Sequence, residues 1–480
     1  MSDRNLTLLT DFYQLTMMNG YLKQGKKNEI VVFDLFFRQN GTITYSLACG
    51  LEQAVDYILN LNFGKEEIDY LRSLNAFDDE FLDYLKDFKF SGDVYSVPEG
   101  TVVFPGEPIL TVKAPIIEAQ LIETALLNII NFQTLIASKS AKINYAAKGD
   151  PVMEFGLRRA QAPDAGIYGA RAAVIGGCSS TSNVLAGKMF DIPVAGTHAH
   201  SWVMNFPDEY TAFLEYAKTY PDNAMLLVDT YDTLKSGVPN AIKVFDELAK
   251  EGKRPKGIRL DSGDLAYFSK KARQMLDAAG YKDAKICASG DLDEKSIDSL
   301  KNQGAKIDLW GVGTRLITSA DMPALGGVYK LACVFSEDGN EIPKIKVSDN
   351  VAKITNPGFK NIFRVYDNST GKAEADFIAL RSEEEVDTSK PLVLTHPTER
   401  WKKIVFTNYT VRPLQCEIIK NGKLVYDLPK LKDIKEYVKT ELESFWDEYK
   451  RLDSPHFYKV DLSDKLFELK RDMLTEIRGK

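Results

Sequence analysis

Two of the chain's four histidines, His198 and His200, lie two residues apart, just after a short apolar segment. A neutral imidazole can act as a general base or accept a phosphoryl group. A single histidine is more often structural than catalytic, but two histidines at one predicted strand end favour a functional role. The residues alone do not decide which histidine acts, or whether Asp229 or Asp261 would orient its ring.

Cations and glycines occur at similar positions elsewhere. Arg158 and Arg159 follow one apolar segment, and Gly311-Val312-Gly313-Thr314 follows another. Arginine side chains and glycine-rich turns before helices bind phosphate groups. Because the two arginines are adjacent, we expect at most one to point into a site. The glycine segment could also be a plain turn.

Carboxylates complete this set in the segment Arg259-Leu260-Asp261-Ser262-Gly263-Asp264. Aspartate binds Mg²⁺ or ribose hydroxyls, so Asp261 and Asp264 are candidate metal ligands. The alternative is a helix N-cap and a solvated turn residue. Together with the histidines and arginines, these two aspartates predict a site for a phosphorylated sugar and magnesium.

A repeated pattern positions these residues. Short apolar runs recur at intervals of roughly 20 to 40 residues, each followed by polar or glycine residues and a helical segment. The runs are Pro151–Phe155, Ile192–Gly196, Met225–Asp229, Gly257–Asp261, Lys285–Ser289 and Ile307–Gly311. Six βα units favour a parallel α/β barrel, whose functional groups collect where the strands end. A doubly wound open sheet is the alternative architecture.

Patterning divides the chain into three predicted domains. An α+β domain spans residues 1–140, the barrel spans 141–340, and strands and helices fill 341–480. The last region has strand-like segments at Asn361–Tyr366 and Ile404–Thr410, a hairpin signal at Asn421-Gly422 and charged helices from Lys432. Its basic residues could reach an active site across a dimer interface or form a solvated hairpin face; these are Lys344, Lys346, Lys360 and Arg364.

Composition excludes several classes of protein. The chain is 44% hydrophobic and 27% charged, with a net charge of −7, so no overall basic excess would hold nucleic acid. Five cysteines without a CxxC pair predict neither a disulfide framework nor a zinc site. The longest apolar segment is too polar for a membrane span, and the first residues lack the apolar core of a signal peptide. We therefore expect a cytoplasmic protein.

Six motifs together resemble nicotinate phosphoribosyltransferase, a type II phosphoribosyltransferase. They are Thr10-Asp11-Phe12-Tyr13-Gln14, Glu154-Phe155-Gly156-Leu157-Arg158-Arg159, Gly196-Thr197-His198-Ala199-His200-Ser201, Arg259-Leu260-Asp261-Ser262-Gly263-Asp264-Leu265, Gly311-Val312-Gly313-Thr314 and Gly326-Gly327-Val328-Tyr329-Lys330-Leu331. The resemblance implies a barrel-like domain beside an N-terminal α+β domain, usually in a homodimer with sites near the subunit interface. It also implies transfer of phosphoribose from phosphoribosyl pyrophosphate to nicotinate, with Mg²⁺ and ATP hydrolysis.

The resemblance also assigns roles to individual residues. His200 matches the histidine that ATP phosphorylates, and Asp261 would lie along the phosphoribosyl pyrophosphate with Arg158. The nicotinate ring would stack between Tyr13, often from the neighbouring subunit, and Phe155. The remaining assignments are Thr197 and Arg259 beside the nicotinate carboxylate, Thr314 at the 5′-phosphate, and phosphate binding by Gly311, Gly313, Gly326 and Gly327.

Substrate choice rests on one segment. The related amide-using enzyme carries an acidic residue on the helix lining the ring, whereas Gly177–Asn183 here has hydroxyls, including Ser182, and no acid. Nicotinate is therefore preferred over nicotinamide. Quinolinate or nicotinamide phosphoribosyltransferase is one alternative. Others are a barrel aldolase or isomerase, although no run ends in the lysine that a Schiff-base aldolase needs, and a non-catalytic scaffold.

Overall fold

The computed structural model describes residues 4–38, 44–383, 386–396 and 399–479, which form two compact units. One unit is continuous, Ile136–Pro323. The other extends to Leu135 and resumes at Ala324. The regions predicted as the separate domains 1–140 and 341–480 thus share one unit, and strands from both join in a single seven-stranded sheet.

The region before the barrel contains both helices and strands. The last two helices of this region are separated by the single residue Ile122. The strands are β1 Ile30–Phe37, β2 Ser46–Leu47, β3 Asp93–Ser96, β4 Val102–Val103 and β5 Leu110–Pro115. The helices are α1 Phe12–Lys23, α2 Leu51–Leu59, α3 Lys65–Ser73, α4 Asp79–Lys86, α5 Ile116–Leu121 and α6 Glu123–Ala147.

Six parallel strands form the sheet of the continuous unit. They are β6 Val152–Glu154, β7 Ser180–Thr181, β8 Met225–Leu227, β9 Gly257–Leu260, β10 Lys285–Ala288 and β11 Leu309–Val312. Their order is β7-β6-β11-β10-β9-β8, so the last strand pairs with the first and the others follow chain order. That cyclic order is the order of a barrel and excludes the doubly wound alternative. The predicted run Ile192–Gly196 contributes a single parallel bridge, Thr181 to Val194.

Helices follow the barrel strands, and side-chain caps begin several of them. Asn183, Asp208, Asp264 and Asp293 each accept a backbone N–H in the first turn of a helix. The helices are α7 Pro163–Ile175, α8 Val184–Phe190, α9 His200–Met204, α10 Glu209–Thr219, α11 Val238–Lys250, α12 Leu265–Ala278, α13 Glu294–Asn302 and α14 Thr314–Ile317. In these capped loops, the polar residues that follow a strand are therefore held at the start of the next helix.

The last part of the chain is mostly strand, with three helices. The predicted hairpin is confirmed: Asn421 and Gly422, both at positive φ, connect β19 and β20. The strands are β12 Gly327–Phe335, β13 Glu341–Pro343, β14 Lys360–Asp367, β15 Ala373–Leu380, β16 Leu392–Thr395, β17 Lys403–Phe406, β18 Tyr409–Pro413, β19 Cys416–Lys420, β20 Lys423–Leu424 and β21 Lys459–Leu462. The helices are α15 Leu431–Glu443, α16 Asp447–Lys450 and α17 Asp464–Arg478.

Two of the basic residues on these strands are buried structural cations. Lys360 Nζ lies 2.8 Å from Asp34 Oδ2, and Arg364 pairs with Asp376 at 2.6 Å and Glu441 at 3.0 Å. All five side chains are almost fully buried. The predictions that Lys360 and Arg364 reach an active site or face solvent are therefore both wrong, because each cation neutralises a buried carboxylate.

Two observations bear on the environment of the chain. Across the residues that the structure describes, no helix combines the length and the apolar character needed to cross a bilayer. Cys49, Cys178, Cys287, Cys333 and Cys416 are all free thiols, and the first four are buried. Burial raises the pKa of the Cys287 thiol to about 12, so this cysteine is an inert core residue.

Candidate active site

A cavity of about 490 Å³ opens at the carboxyl ends of the barrel strands. It brings together nine of the residues predicted to form the site: Phe155, Arg158, Ser182, Thr197, Arg259, Asp261, Gly311, Gly313 and Thr314. The other lining residues are Arg159, Gly196, His198, Ala199, Ser289, Gly290 and Asp291. All of them belong to the continuous unit, so one end of the barrel holds cations, carboxylates, hydroxyls and an aromatic ring.

His200 begins α9 beside this cavity, with two polar neighbours. Its Nδ1 lies 3.1 Å from Thr230 Oγ1, and its Nε2 lies 4.0 Å from Asp261 Oδ2. Asp229 instead supports Asp261: it accepts the Asp261 backbone N–H at 2.9 Å and the Ser262 hydroxyl at 2.7 Å. Of the two carboxylates that sequence left equivalent, Asp261 is thus the one found within 4.0 Å of the ring in the described part of the chain. Thr230, which the sequence analysis missed, is the other neighbour.

Arginines supply the positive charge of the cavity. Arg259 projects from β9 and donates from Nη1 to Thr197 Oγ1 at 2.5 Å, which fixes the pair beside each other. Arg158 and Arg159 lie on a short 3₁₀ turn, Leu157–Arg159, and both are exposed. Both also line the cavity. A 3₁₀ turn advances about 120° per residue, and its two arginines can flank one opening.

Glu154, a residue that the sequence analysis passed over, supports two walls of the cavity from beneath. Its fully buried carboxylate accepts the Thr181 hydroxyl at 2.6 Å and the Gly156 N–H. Thr181 Oγ1 in turn accepts the Asn183 N–H at 3.0 Å. Burial raises the pKa of Glu154, and the two hydrogen bonds that its carboxylate accepts offset part of that cost. One carboxylate therefore ties the turn after Phe155 to the segment that carries Ser182.

The segment with Ser182 is a strand and a cap rather than the helix that the resemblance implied. Ser180 and Thr181 form β7, and Asn183 accepts the Ala186 N–H at 3.1 Å to begin α8. Ser182 lies between them and lines the cavity. Its hydroxyl is therefore presented from the end of β7.

The glycines of the predicted phosphate sites have different environments. A Cβ on Gly311 would lie 2.7 Å from the Phe155 ring, so this glycine admits the close approach of that ring. Gly313 precedes Thr314 at the start of α14, and both line the cavity. Gly326 and Gly327 belong to the other unit, where Gly327 begins β12. They do not line this cavity within the described chain.

Two further predicted residues lie outside the cavity lining. Asp264 caps α12 by accepting the Tyr267 N–H at 2.9 Å, which matches the alternative stated for it from sequence. Tyr13 lies on α1 in the other unit and is 49% exposed. Neither contributes to the cavity of the continuous unit.

Models of protein families match nearly the whole chain. The model described as "Nicotinate phosphoribosyltransferase (NAPRTase) family" matches residues 151–369. Models of the nicotinate phosphoribosyltransferase N-terminal and C-terminal domains match residues 8–131 and 359–470. Together they cover the barrel, the region before it and the strands after it.

Individual proteins agree with this match. The chain is 48% identical to nicotinate phosphoribosyltransferase of Bacillus subtilis, over 100% of this chain and 97% of that protein. It is 32% identical to the Homo sapiens enzyme of the same name, over 96% of this chain and 95% of that protein. The crystal structure of human nicotinic acid phosphoribosyltransferase superimposes with a TM-score of 0.83 at 29% identity, covering 97% of this chain and all of that one. Nicotinate-nucleotide pyrophosphorylase from Pyrococcus furiosus shares the fold, with a TM-score of 0.70 at 23% identity.

Proposed function

This chain belongs to the nicotinate phosphoribosyltransferase family, and from that premise we propose that it makes nicotinate mononucleotide from nicotinate and phosphoribosyl pyrophosphate, coupled to ATP hydrolysis. The nicotinate ring nitrogen would attack the ribose anomeric carbon while the bond from that carbon to pyrophosphate breaks. The observation that carries the proposal is the convergence of Phe155, the Arg259–Thr197 pair and the His200–Asp261 pair at one barrel end.

The cavity suits this bond exchange because its charges match the charges that develop. Positive charge grows on the ribose in an oxocarbenium-like transition state, and negative charge grows on the departing pyrophosphate. Arg158, with Arg159 beside it, would stabilise the leaving group, and Asp261 would hold the ribose hydroxyls. Thr314 would contact the 5′-phosphate. The ring nitrogen carries no proton at neutral pH, so the site needs no general base and acts by positioning and electrostatics.

Nicotinate would bind with its ring against Phe155 and its carboxylate beside Arg259 and Thr197. The short hydrogen bond between these two residues holds the cation and a hydroxyl together, as a carboxylate requires. Ser182 at the same cavity offers a neutral hydroxyl rather than an acid. This supports nicotinate over nicotinamide, the first alternative, while the second carboxylate of quinolinate would need a further cation at the ring.

His200 would couple the reaction to ATP. An imidazole nitrogen attacks the γ-phosphorus, the bond to the β-phosphate oxygen breaks, and ADP leaves. Water later attacks the phosphohistidine and releases phosphate. The side chain is 40% exposed, so a nucleotide can reach it; Thr230 lies within hydrogen-bond distance of Nδ1, and the Asp261 carboxylate lies 4.0 Å from Nε2. The phosphate on His200 would add negative charge beside the substrates. Their affinity would therefore differ between the phosphorylated and the unphosphorylated enzyme.

A magnesium ion fits this site if the substrates complete its coordination. The described residues contain no group of three or more side chains arranged to hold a metal ion. However, Asp229 Oδ1 is buried without a hydrogen-bond partner in the described chain, and the same carboxylate supports Asp261. Mg²⁺ commonly takes one or two carboxylates plus phosphate oxygens. The ion would neutralise the diphosphate, with Asp261 as the best candidate ligand. Asp264 is a weaker candidate because its carboxylate already accepts a hydrogen bond as the cap of α12.

We further propose a cytoplasmic homodimer in which Tyr13 of a second copy stacks on the nicotinate ring. Leu9, Phe12 and Tyr13 are each at least 40% exposed, an apolar surface that a partner would cover. Mixing Tyr13→Ala and His200→Ala proteins tests this. If each site combines Tyr13 of one copy with His200 of the other, mixed dimers contain one intact site and should regain activity. A mixture without restored activity would refute the shared site.

The direct test is an assay of purified protein with magnesium, phosphoribosyl pyrophosphate and one acceptor at a time: nicotinate, nicotinamide or quinolinate. We expect turnover with nicotinate and stimulation by ATP. His200→Ala should lose ATP hydrolysis and ATP stimulation but retain slow ATP-independent transfer. Preference for another acceptor, or unchanged ATP hydrolysis in His200→Ala, would refute the proposal.

A further inference from the structure

The barrel has one join that is not made by a β-ladder. On one side the wall ends at β8, and on the other it ends at the segment that bridges β7 through Val194. No strand pairing between these two edges occurs in the described chain. Instead, the Leu227 N–H of β8 donates to Nε2 of His198 at 3.3 Å. A side chain thus takes the place of the carbonyl that a neighbouring strand would offer.

A second contact joins the same two segments. His200 Nδ1 lies 3.1 Å from the hydroxyl of Thr230, three residues beyond Leu227. The segments 197–200 and 227–230 are therefore connected by two imidazoles: that of His198 is buried and lines the cavity, and that of His200 is 40% exposed beside it. Because the two histidines share a short stretch of backbone, the buried contact limits how far the exposed ring can move.

We propose that His198 is a positioning residue that fixes His200 for phosphorylation by accepting the Leu227 N–H across the open join of the barrel. The proposal rests on the proposed phosphorylation of His200. It gives the two histidines of one motif different tasks: the first closes the barrel wall, and the second reacts with ATP.

The surroundings of His198 suit a neutral acceptor. Its side chain is 8% exposed and packs edge-on against Tyr216, with ring centroids 4.7 Å apart. Nδ1 lies 3.5 Å from the Ala199 carbonyl oxygen, the side on which a proton is accommodated when Nε2 accepts. Burial, with the positive charge of the nearby Arg259, lowers the pKa of His198 to about 4. Nε2 therefore stays free to accept at neutral pH.

Three substitutions separate this role from simple packing. The amide oxygen of His198→Gln can occupy the position of Nε2, whereas the shorter His198→Asn cannot reach it, and His198→Phe fills the space without an acceptor. We expect the rate of phosphoenzyme formation from labelled ATP to fall tenfold or more in His198→Phe and His198→Asn. His198→Gln should remain within about threefold of wild type. Equal rates in all three variants, or loss in His198→Gln alone, would overturn the proposal.

Controls distinguish this inference from the proposed function. If His200→Ala still forms phosphoenzyme, the phosphorylation site is wrong. If it forms none while His198→Phe labels like wild type, only the positioning role fails. Should the variants not fold, ¹⁵N NMR of wild type labelled in its four histidines still decides. Protonated Nδ1 with unprotonated Nε2 at His198 at pH 7 is expected, and the reverse tautomer or a charged ring would overturn the proposal.

Discussion

Gly311→Ala should damage the proposed nicotinate site while leaving the fold nearly intact. The new Cβ would lie 2.7 Å from Cδ2 and Cε2 of the Phe155 ring and 3.3 Å from Ser289 Cβ. Carbon atoms in contact lie about 3.5–4.0 Å apart, so the ring must move by about 1 Å. Phe155 is only half-buried, and the ring can shift into the cavity. The cost therefore falls on ring stacking rather than on core packing.

A misplacement of about 1 Å at a reacting centre costs about 100-fold in rate, or about 2.7 kcal/mol of transition-state stabilisation. We expect this loss in kcat/KM for nicotinate, measured at saturating phosphoribosyl pyrophosphate. The free energy of unfolding, measured in urea, should fall by only about 1 kcal/mol. Gly20→Ala is the matched control, since a Cβ at that exposed helix position meets nothing within 4 Å.

A double-mutant cycle with Phe155→Leu tests the steric reasoning itself. The smaller side chain should leave room for the added methyl group, so that Gly311→Ala costs less than about fivefold in that background. Equal losses in both backgrounds would show that Phe155 does not transmit the effect. A Gly311→Ala enzyme within threefold of wild type would refute the reasoning altogether.

Three further predictions concern stability, substrate choice and pH. Arg364→Met leaves the buried Asp376 and Glu441 carboxylates without this cation and should lower the free energy of unfolding in urea by about 3–5 kcal/mol; a loss below about 1 kcal/mol would contradict the pairing. Ser182→Asp should raise the KM for nicotinate about tenfold or more by charge repulsion, whereas the neutral control Ser182→Asn should change it less; unchanged kinetics would count against this pocket. The pKa of His198 is lowered from 6.5 to about 4, so between these pH values the imidazole is protonated in the unfolded chain but not in the folded one. The free energy of unfolding therefore falls as the pH drops from 6.5 towards 4. Between pH 7 and pH 5, the free energy of unfolding measured in urea should fall by about 2 kcal/mol less in His198→Gln than in wild type. Equal decreases in the two proteins would refute this prediction.

The strand ends of the barrel could be predicted because each combines an apolar run with a following polar or glycine segment. That pattern located Asp261 at a strand end, whereas the site roles of Phe155 and Arg259 came from the resemblance to the family. It missed β7, since the two residues Ser180 and Thr181 are too few to show a period. It overestimated Ile192–Gly196, where only Val194 forms a bridge.

Residue type alone misjudged groups whose partners are distant in sequence. Lys360 and Arg364 looked like free cations because Asp34 and Glu441 lie far away along the chain. Glu154 looked like an ordinary strand residue because its hydroxyl partner belongs to the next strand. Gly311 also lacks a side chain where the Phe155 ring packs, a contact that the glycine pattern does not show. Such roles depend on tertiary neighbours that local patterns do not encode.

The central claim, that His200 carries the phosphoryl group of ATP at this barrel end, can be tested by one measurement. The enzyme is incubated with magnesium and γ-labelled ATP and then digested at alkaline pH, and the labelled peptide is sequenced by mass spectrometry. We predict an acid-labile phosphate on His200, absent from His200→Ala. Phosphate on another residue, or ATP hydrolysis with no labelled His200, would contradict the account.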